Sequence, residues 1–247
     1  MQTKTLSAYH PLTVGALKNE IFKNPSAFNK MVPGGDARTY TGDWEIIFQP
    51  KYDRVQYPQA GAAALQFFSK PQGSSDTLIT GGAAGARVKN LRDTNARQAN
   101  QQSDEAFLMM GVQLGYIPLS TGIASTSLLN FEDDKAKIAS GSFFQMILIN
   151  KPYIQAPAMF IPSPFESKGG KALAMYAQAA ATINVIGGPG GYGEGKITSS
   201  YPCDPPYLIT AGEGYTITLN TDNTALSAGN DIDIVCCLVG YTIRPVQ

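Results

Sequence analysis

The run from Asp231 to Gln247, DIDIVCCLVGYTIRPVQ, constrains this chain more than any other stretch. Ile232, Ile234, Val235, Leu238, Val239, Tyr241, Ile243 and Val246 are residues that suit a pleated, half-buried surface. A strand this apolar needs partners, because a bare hydrophobic edge templates aggregation. The pattern predicts an interior strand over Ile232–Ile243, with Arg244 to Gln247 as a short tail at the rim. Cys236 and Cys237 are adjacent, so a strand sends them to opposite faces and they do not share a metal.

Other segments repeat the theme. Strands are predicted in Asp43–Pro50, which holds the only Trp, and in Ala62–Phe68, Ala106–Leu119, Ser127–Phe131, Ile138–Ile149, Thr182–Ile186, Pro206–Ile209 and Tyr215–Leu219. Gly111 and Gly115 inside the longest of them point to a bulge or a close backbone approach. Asp133 to Ala136 reads as a polar turn, Tyr201 to Pro206 as turn-rich, and Thr221 to Asn230 as a polar loop. Helix is expected in Gly170–Ala181, which is Ala-rich. Residues 1–40 read as an N-terminal arm or a short amphipathic helix. Residues 73–103 are Gly-, Ala-, Asn- and Gln-rich with weak periodicity, and read as a long ordered loop with one short strand, Thr77–Thr80. Short strands parted by Gly and Pro turns indicate an all-β sandwich spanning 41–247.

Composition excludes several functions. The chain has 247 residues, with 19 basic and 19 acidic side chains and one His. A protein that grips nucleic acid strongly needs a basic excess for phosphate contacts, and this one has none. Charged residues make up 15%, below the usual quarter, which suits a surface buried in close subunit contacts. The three cysteines are odd in number and form no disulfide framework. They read as small buried hydrophobes of a protein made in a reducing compartment. The opening MQTKTLSAYH lacks the apolar core of a signal peptide, and no apolar run is long enough to span a bilayer.

No motif carries catalysis. Gly190 to Lys196 matches the G-x-x-x-x-G-K part of a phosphate loop, but Ile197 stands where Ser or Thr should hold magnesium. No helix can follow it in ITSSYPCDPP. It reads as a flexible surface loop, as does Gly81 to Gly85. His10, the only imidazole, lies in a polar segment without a nucleophile partner. Glu132, Asp133 and Asp134 read as a solvated cluster in a turn. Asp231 and Asp233 share one strand face; they could suit a calcium ion or a glycosidase pair, but read first as the exposed start of a strand. No residue is therefore assigned to catalysis, to a cofactor or to a metal.

Three stretches resemble jelly-roll major capsid proteins of small icosahedral bacterial viruses. They are Leu65 to Ser69 with Pro71 to Gly73 and Arg92 to Asn95; Pro205 to Leu219, PPYLITAGEGYTITL; and Leu238 to Gln247, LVGYTIRPVQ. The resemblance implies a non-enzymatic structural subunit in the virion. Many copies of it would form a closed shell around a genome, with other virion proteins such as pentons or spikes, and in some cases an internal lipid layer. A single roll with extra strands and one or two short helices is expected, with a minimal second roll in 40–120 as the variant. The competing expectations are a carbohydrate- or receptor-binding β-sandwich module, and a glycosidase using Asp231 and Asp233.

Overall fold

A computed structural model describes residues 44–80, 83–102, 105–118, 125–163, 174–177, 183–186, 200–227 and 231–245. Its centre is the C-terminal strand. Taken in chain order, β1 is Trp44–Phe48, β2 Lys51–Tyr57, β3 Ala64–Phe67, β4 Ser75–Thr80, β5 Ala83–Val88 and β6 Ala106–Pro118. The helix α1, Ser125–Ser140, follows, then β7 Ser142–Leu148, β8 Lys151–Pro157 and a 3-10 turn at Ala158–Phe160. The last elements are β9 Ala174–Ala177, β10 Ile183–Ile186, β11 Tyr201–Ile209, β12 Tyr215–Thr221 and β13 Ile232–Pro245.

One sheet is built on β13. Along one side β13 pairs with β6 from Ile232 to Ile243, and β11 pairs beyond β6. Along the other side β2 pairs with its first half and β1 with its second half. Gln49 and Pro50 interrupt β1 and β2, which together act as one broken edge strand. The second sheet runs β3-β12-β7-β8. All pairings in both sheets are antiparallel. Apart from the β7–β8 hairpin, each step between strands of the two sheets crosses from one sheet to the other.

The two sheets share one core. Ile232, Ile234, Cys236 and Leu238 of β13 pack with Phe107, Met109, Val112 and Leu114 of β6 on one side. Leu65 and Phe67 of β3, Phe144, Met146 and Leu148 of β7, and Tyr215, Ile217 and Leu219 of β12 face them. Alternate residues fill the core, as period-two geometry requires. On β6 the inward set changes from odd to even numbers, and the register against β13 shifts at the same place, skipping Met110. This is a β-bulge, and the extra residue re-aims the rest of the strand. Gly111 beside it has no room for a side chain: a Cβ there would meet Ser200 Oγ and lie 2.8 Å from the Tyr201 carbonyl oxygen. The glycine signal in this strand thus marks both a bulge and a close approach.

Several expectations need correction. Residues 73–103 are not one loop with a single strand: β4 and β5 form an antiparallel hairpin from Ser75↔Val88 to Thr80↔Ala83. The strand at Ser127–Phe131 and the turn at Asp133–Ala136 are instead parts of α1, which also absorbs Ile138 to Ser140. In that helix Asp133 and Lys137 form an i,i+4 ion pair. Helix at Gly170–Ala181 gives way over Ala174–Ala177 to β9, which pairs with β10. Tyr201 to Pro206 belongs to β11, whose register against β6 breaks between Pro202 and Tyr207. Arg244 and Pro245 are no tail but strand, paired with Glu45 and Trp44. The N-terminal arm or helix at 1–40 lies outside the described residues.

Candidate functional site

Charged groups gather where the β4–β5 hairpin and the segment after it meet the broken edge strand. Asp53 and Arg54 are consecutive on β2, so they leave opposite faces of the sheet. Lys89, just past β5, enters on the core side. Its Nζ lies 2.8 Å from Asp53 Oδ1 with both side chains fully buried, and 3.2 Å from Asp76 Oδ2. Lys70 donates to the other Asp76 oxygen at 2.6 Å. On the opposite face Arg54 pairs with Asp233 of β13 and lies 3.7 Å from Asp93, and Asp93 also pairs with Arg87. Four carboxylates face four cations, so the cluster is neutral as a whole. That balance is what makes burial of so many charges tolerable.

The backbone completes the clamp. Asn95 Oδ1 accepts the Tyr52 amide at 2.9 Å, and its Nδ2 donates to the Pro50 carbonyl at 2.8 Å. Thr94 bridges Asp53, and its hydroxyl donates to the Tyr52 carbonyl at 3.2 Å. The open side of β2 is thereby covered. Asp53 Oδ2 accepts the amide of Phe68 at 2.7 Å. Phe68 has φ of 61°, the left-handed region that a bulky residue adopts only when its surroundings force it. Burial raises the Asp53 carboxyl above its ordinary range, against the lowering pull of Lys89 and the hydrogen bonds.

The cysteines are packing residues. Cys236 is in the core, while Cys237 lies half-buried on the other face of β13. Burial pushes the Cys203 thiol up to about 12 and the Cys237 thiol up to about 11, and holds Cys236 well above the ordinary value. A thiol kept protonated is a poor nucleophile and a poor metal ligand.

The carboxylates weighed from the sequence are occupied separately. Asp231 precedes β13 and accepts the Gln59 amide at 3.1 Å. Asp233 is fully buried against Arg54, not at an exposed strand start. In the 132–134 cluster Asp133 is exposed on α1, but Asp134 is buried and not solvated as expected. It accepts the amide and hydroxyl of Ser227 at 3.0 and 2.9 Å, tying the helix to the approach to β13. Gly85 is a strand residue opposite Leu78, not part of a flexible loop. Gly81, Gly82, His10 and Gly190 to Lys196 lie outside the described residues.

Sequence reasoning missed the clamp because a lone lysine in a polar stretch reads as solvated. The surface it missed is apolar. Phe143, Ile149, Tyr153, Met159 and Phe160 are exposed on β7, β8 and the turns beside them. Tyr153 stacks edge-on against Tyr207 of β11 with ring centroids 4.9 Å apart, spanning the two sheets at that side. Compared with known proteins, the chain matches no family model, no curated protein and no solved structure.

Proposed function

We propose that this protein is the shell subunit of an icosahedral virion, built on a single jelly roll, and that it acts by self-assembly rather than by catalysis. The observation that carries this reading is the strand order. If the broken strand β1/β2 is the first strand of a roll, then β3, β6, β7, β8, β11, β12 and β13 are the second to the eighth. One sheet then holds strands one, eight, three and six, and the other holds two, seven, four and five. That order matches the double Greek-key arrangement of a jelly roll, a fold used by viral capsid proteins and also by lectins and cupins, and so supports the reading. The fold alone does not select among them.

Three further features favour a shell. Net charge is zero, few surface groups are charged, and large apolar side chains are exposed on the β7–β8 side, where a neighbouring copy could bury them. Multiple weak contacts per subunit sum to a stable closed particle. In this reading the protein resides in the virion beside other virion proteins, and the genome is enclosed without strong direct binding. An internal lipid layer is compatible with it.

Sedimentation and electron microscopy of the purified full chain across a concentration series test this. Closed particles of uniform diameter are the expected result. A persistent monomer at high concentration would overturn the proposal, and specific glycan binding by that monomer would favour a carbohydrate- or receptor-binding module instead.

A further inference from the structure

We propose that Lys89 and Asp53 condense spontaneously to an amide, so that the mature protein carries an internal isopeptide cross-link between β2 and the segment after β5. Three placements around the pair assign the parts. The nucleophile is Lys89 Nζ, within a hydrogen bond of Asp53 Oδ1 at 2.8 Å in a fully buried site. The acceptor of developing negative charge is Asp53 Oδ2, which already receives the Phe68 amide at 2.7 Å. The proton carrier is Asp76, whose Oδ2 stands 3.2 Å from the same Nζ.

The step balances without a co-reactant. Within the buried pair the ammonium gives a proton to the Asp53 carboxylate, leaving a neutral amine and a neutral carboxyl. Burial favours this exchange, since low polarity disfavours separated charges, and it also raises the affinity of Asp53 for the proton. The Nζ lone pair then attacks Asp53 Cγ, and the carbonyl electron pair moves onto Oδ2, held by the Phe68 N–H as in an oxyanion hole. Asp76 takes a proton from the nitrogen and delivers it to the Oδ1 hydroxyl. The Cγ–Oδ1 bond breaks and one water leaves, so Asp76 ends as it began. Amine, carboxyl and relay are pre-positioned on three different segments, which removes most of the entropic barrier to such a reaction.

The strained backbone at Phe68 now has a use. Its left-handed conformation is part of what aims the amide at Oδ2. Lys70 donates to the far oxygen of Asp76, which leaves Oδ2 turned toward Lys89 Nζ. An ion pair buried this deeply is costly to maintain, whereas a neutral amide with released water is not.

Intact-mass measurement of the denatured full chain is the test. The expected mass is lower than the sequence mass by one water. Trypsin should fail to cut after Lys89 and should release a branched peptide joining Tyr52–Arg54 to Val88–Arg92. Lys89→Met and Asp76→Asn should both show the full mass and lack the branched peptide. Because the bond forms only in the folded site, circular dichroism before denaturation establishes that Asp76→Asn is folded, so that its full mass reports the lost relay. Wild-type protein at full mass with normal cleavage after Lys89 would overturn the proposal. So would a lost water mapped to any other residue. A folded Asp76→Asn variant that forms the bond as completely as wild type would overturn the assigned relay.

Discussion

At the scale of single residues, the informative groups are polar ones in apolar places. Arg54 holds Asp233, a carboxylate with no exposure, on the face of the sheet away from the core. Arg54→Met removes the guanidinium and leaves that charge buried, which costs about 3 kcal/mol by analogy with other broken buried pairs. Urea denaturation should show it as a lower midpoint with an unchanged slope. The thiols make a second case. Each is a weak acid whose folded value lies above its ordinary value of 9.0, so folding disfavours the thiolate. Stability from these groups is fully present below pH 9 and is lost as pH rises from there towards about 12, the folded value of Cys203. Denaturation midpoints between pH 8 and 11 should fall, and Cys203→Ala should flatten part of the fall. Native protein at pH 8 should react slowly with thiol reagents at Cys203 and Cys236, and rapidly once unfolded.

At the scale of elements, strands with clean alternation were legible, and elements with mixed signals were not. β3, β6, β12 and β13 follow the apolar pattern closely because one side of each strand faces the core. α1 was read as strand and turn because Leu128, Leu129 and Phe131 look β-like in isolation; the Asp133–Lys137 spacing and the seven-residue step from Phe131 to Ile138 were the helical signals. β8 was missed because Pro152 and Pro157 read as breakers, although an edge strand tolerates both. The β4–β5 hairpin did leave a trace, since only Gly81 and Gly82 separate the paired Thr80 and Ala83, a favoured two-residue connection. The charge clamp had no comparable trace. Which face Lys89 takes depends on a contact 36 residues away. Glycines offer a sharp check at this scale. A Cβ on Gly240 would run into the Leu108 carbonyl oxygen and lie 2.8 Å from the Phe107 ring, whereas Gly85 has nothing within 4 Å. Gly240→Ala should cost about 1–3 kcal/mol through overpacking, while Gly85→Ala should stay within about 0.5 kcal/mol. Thermal unfolding of the two variants side by side distinguishes them.

At the scale of the whole molecule, the outer strands decide how copies can meet. The open side of β2 is occupied by Thr94 and Asn95. β11 carries Pro202, Pro205 and Pro206, β8 carries Pro152 and Pro157, and β3 is only four residues long. Prolines lack the N–H that a further strand would need, and a short strand offers little ladder to extend. In the proposed shell, neighbours would therefore attach through side chains at fixed angles and not by prolonging a sheet. Concentrated native protein should accordingly give no rise in thioflavin-T fluorescence, whereas replacing Pro152 and Pro157 with Thr should introduce one. The covered margins of the proposed shell subunit remove the easiest route to an endless fibre, because strand addition at β2, β3, β8 and β11 has little to build on, and the angles of the side-chain contacts decide whether a particle closes.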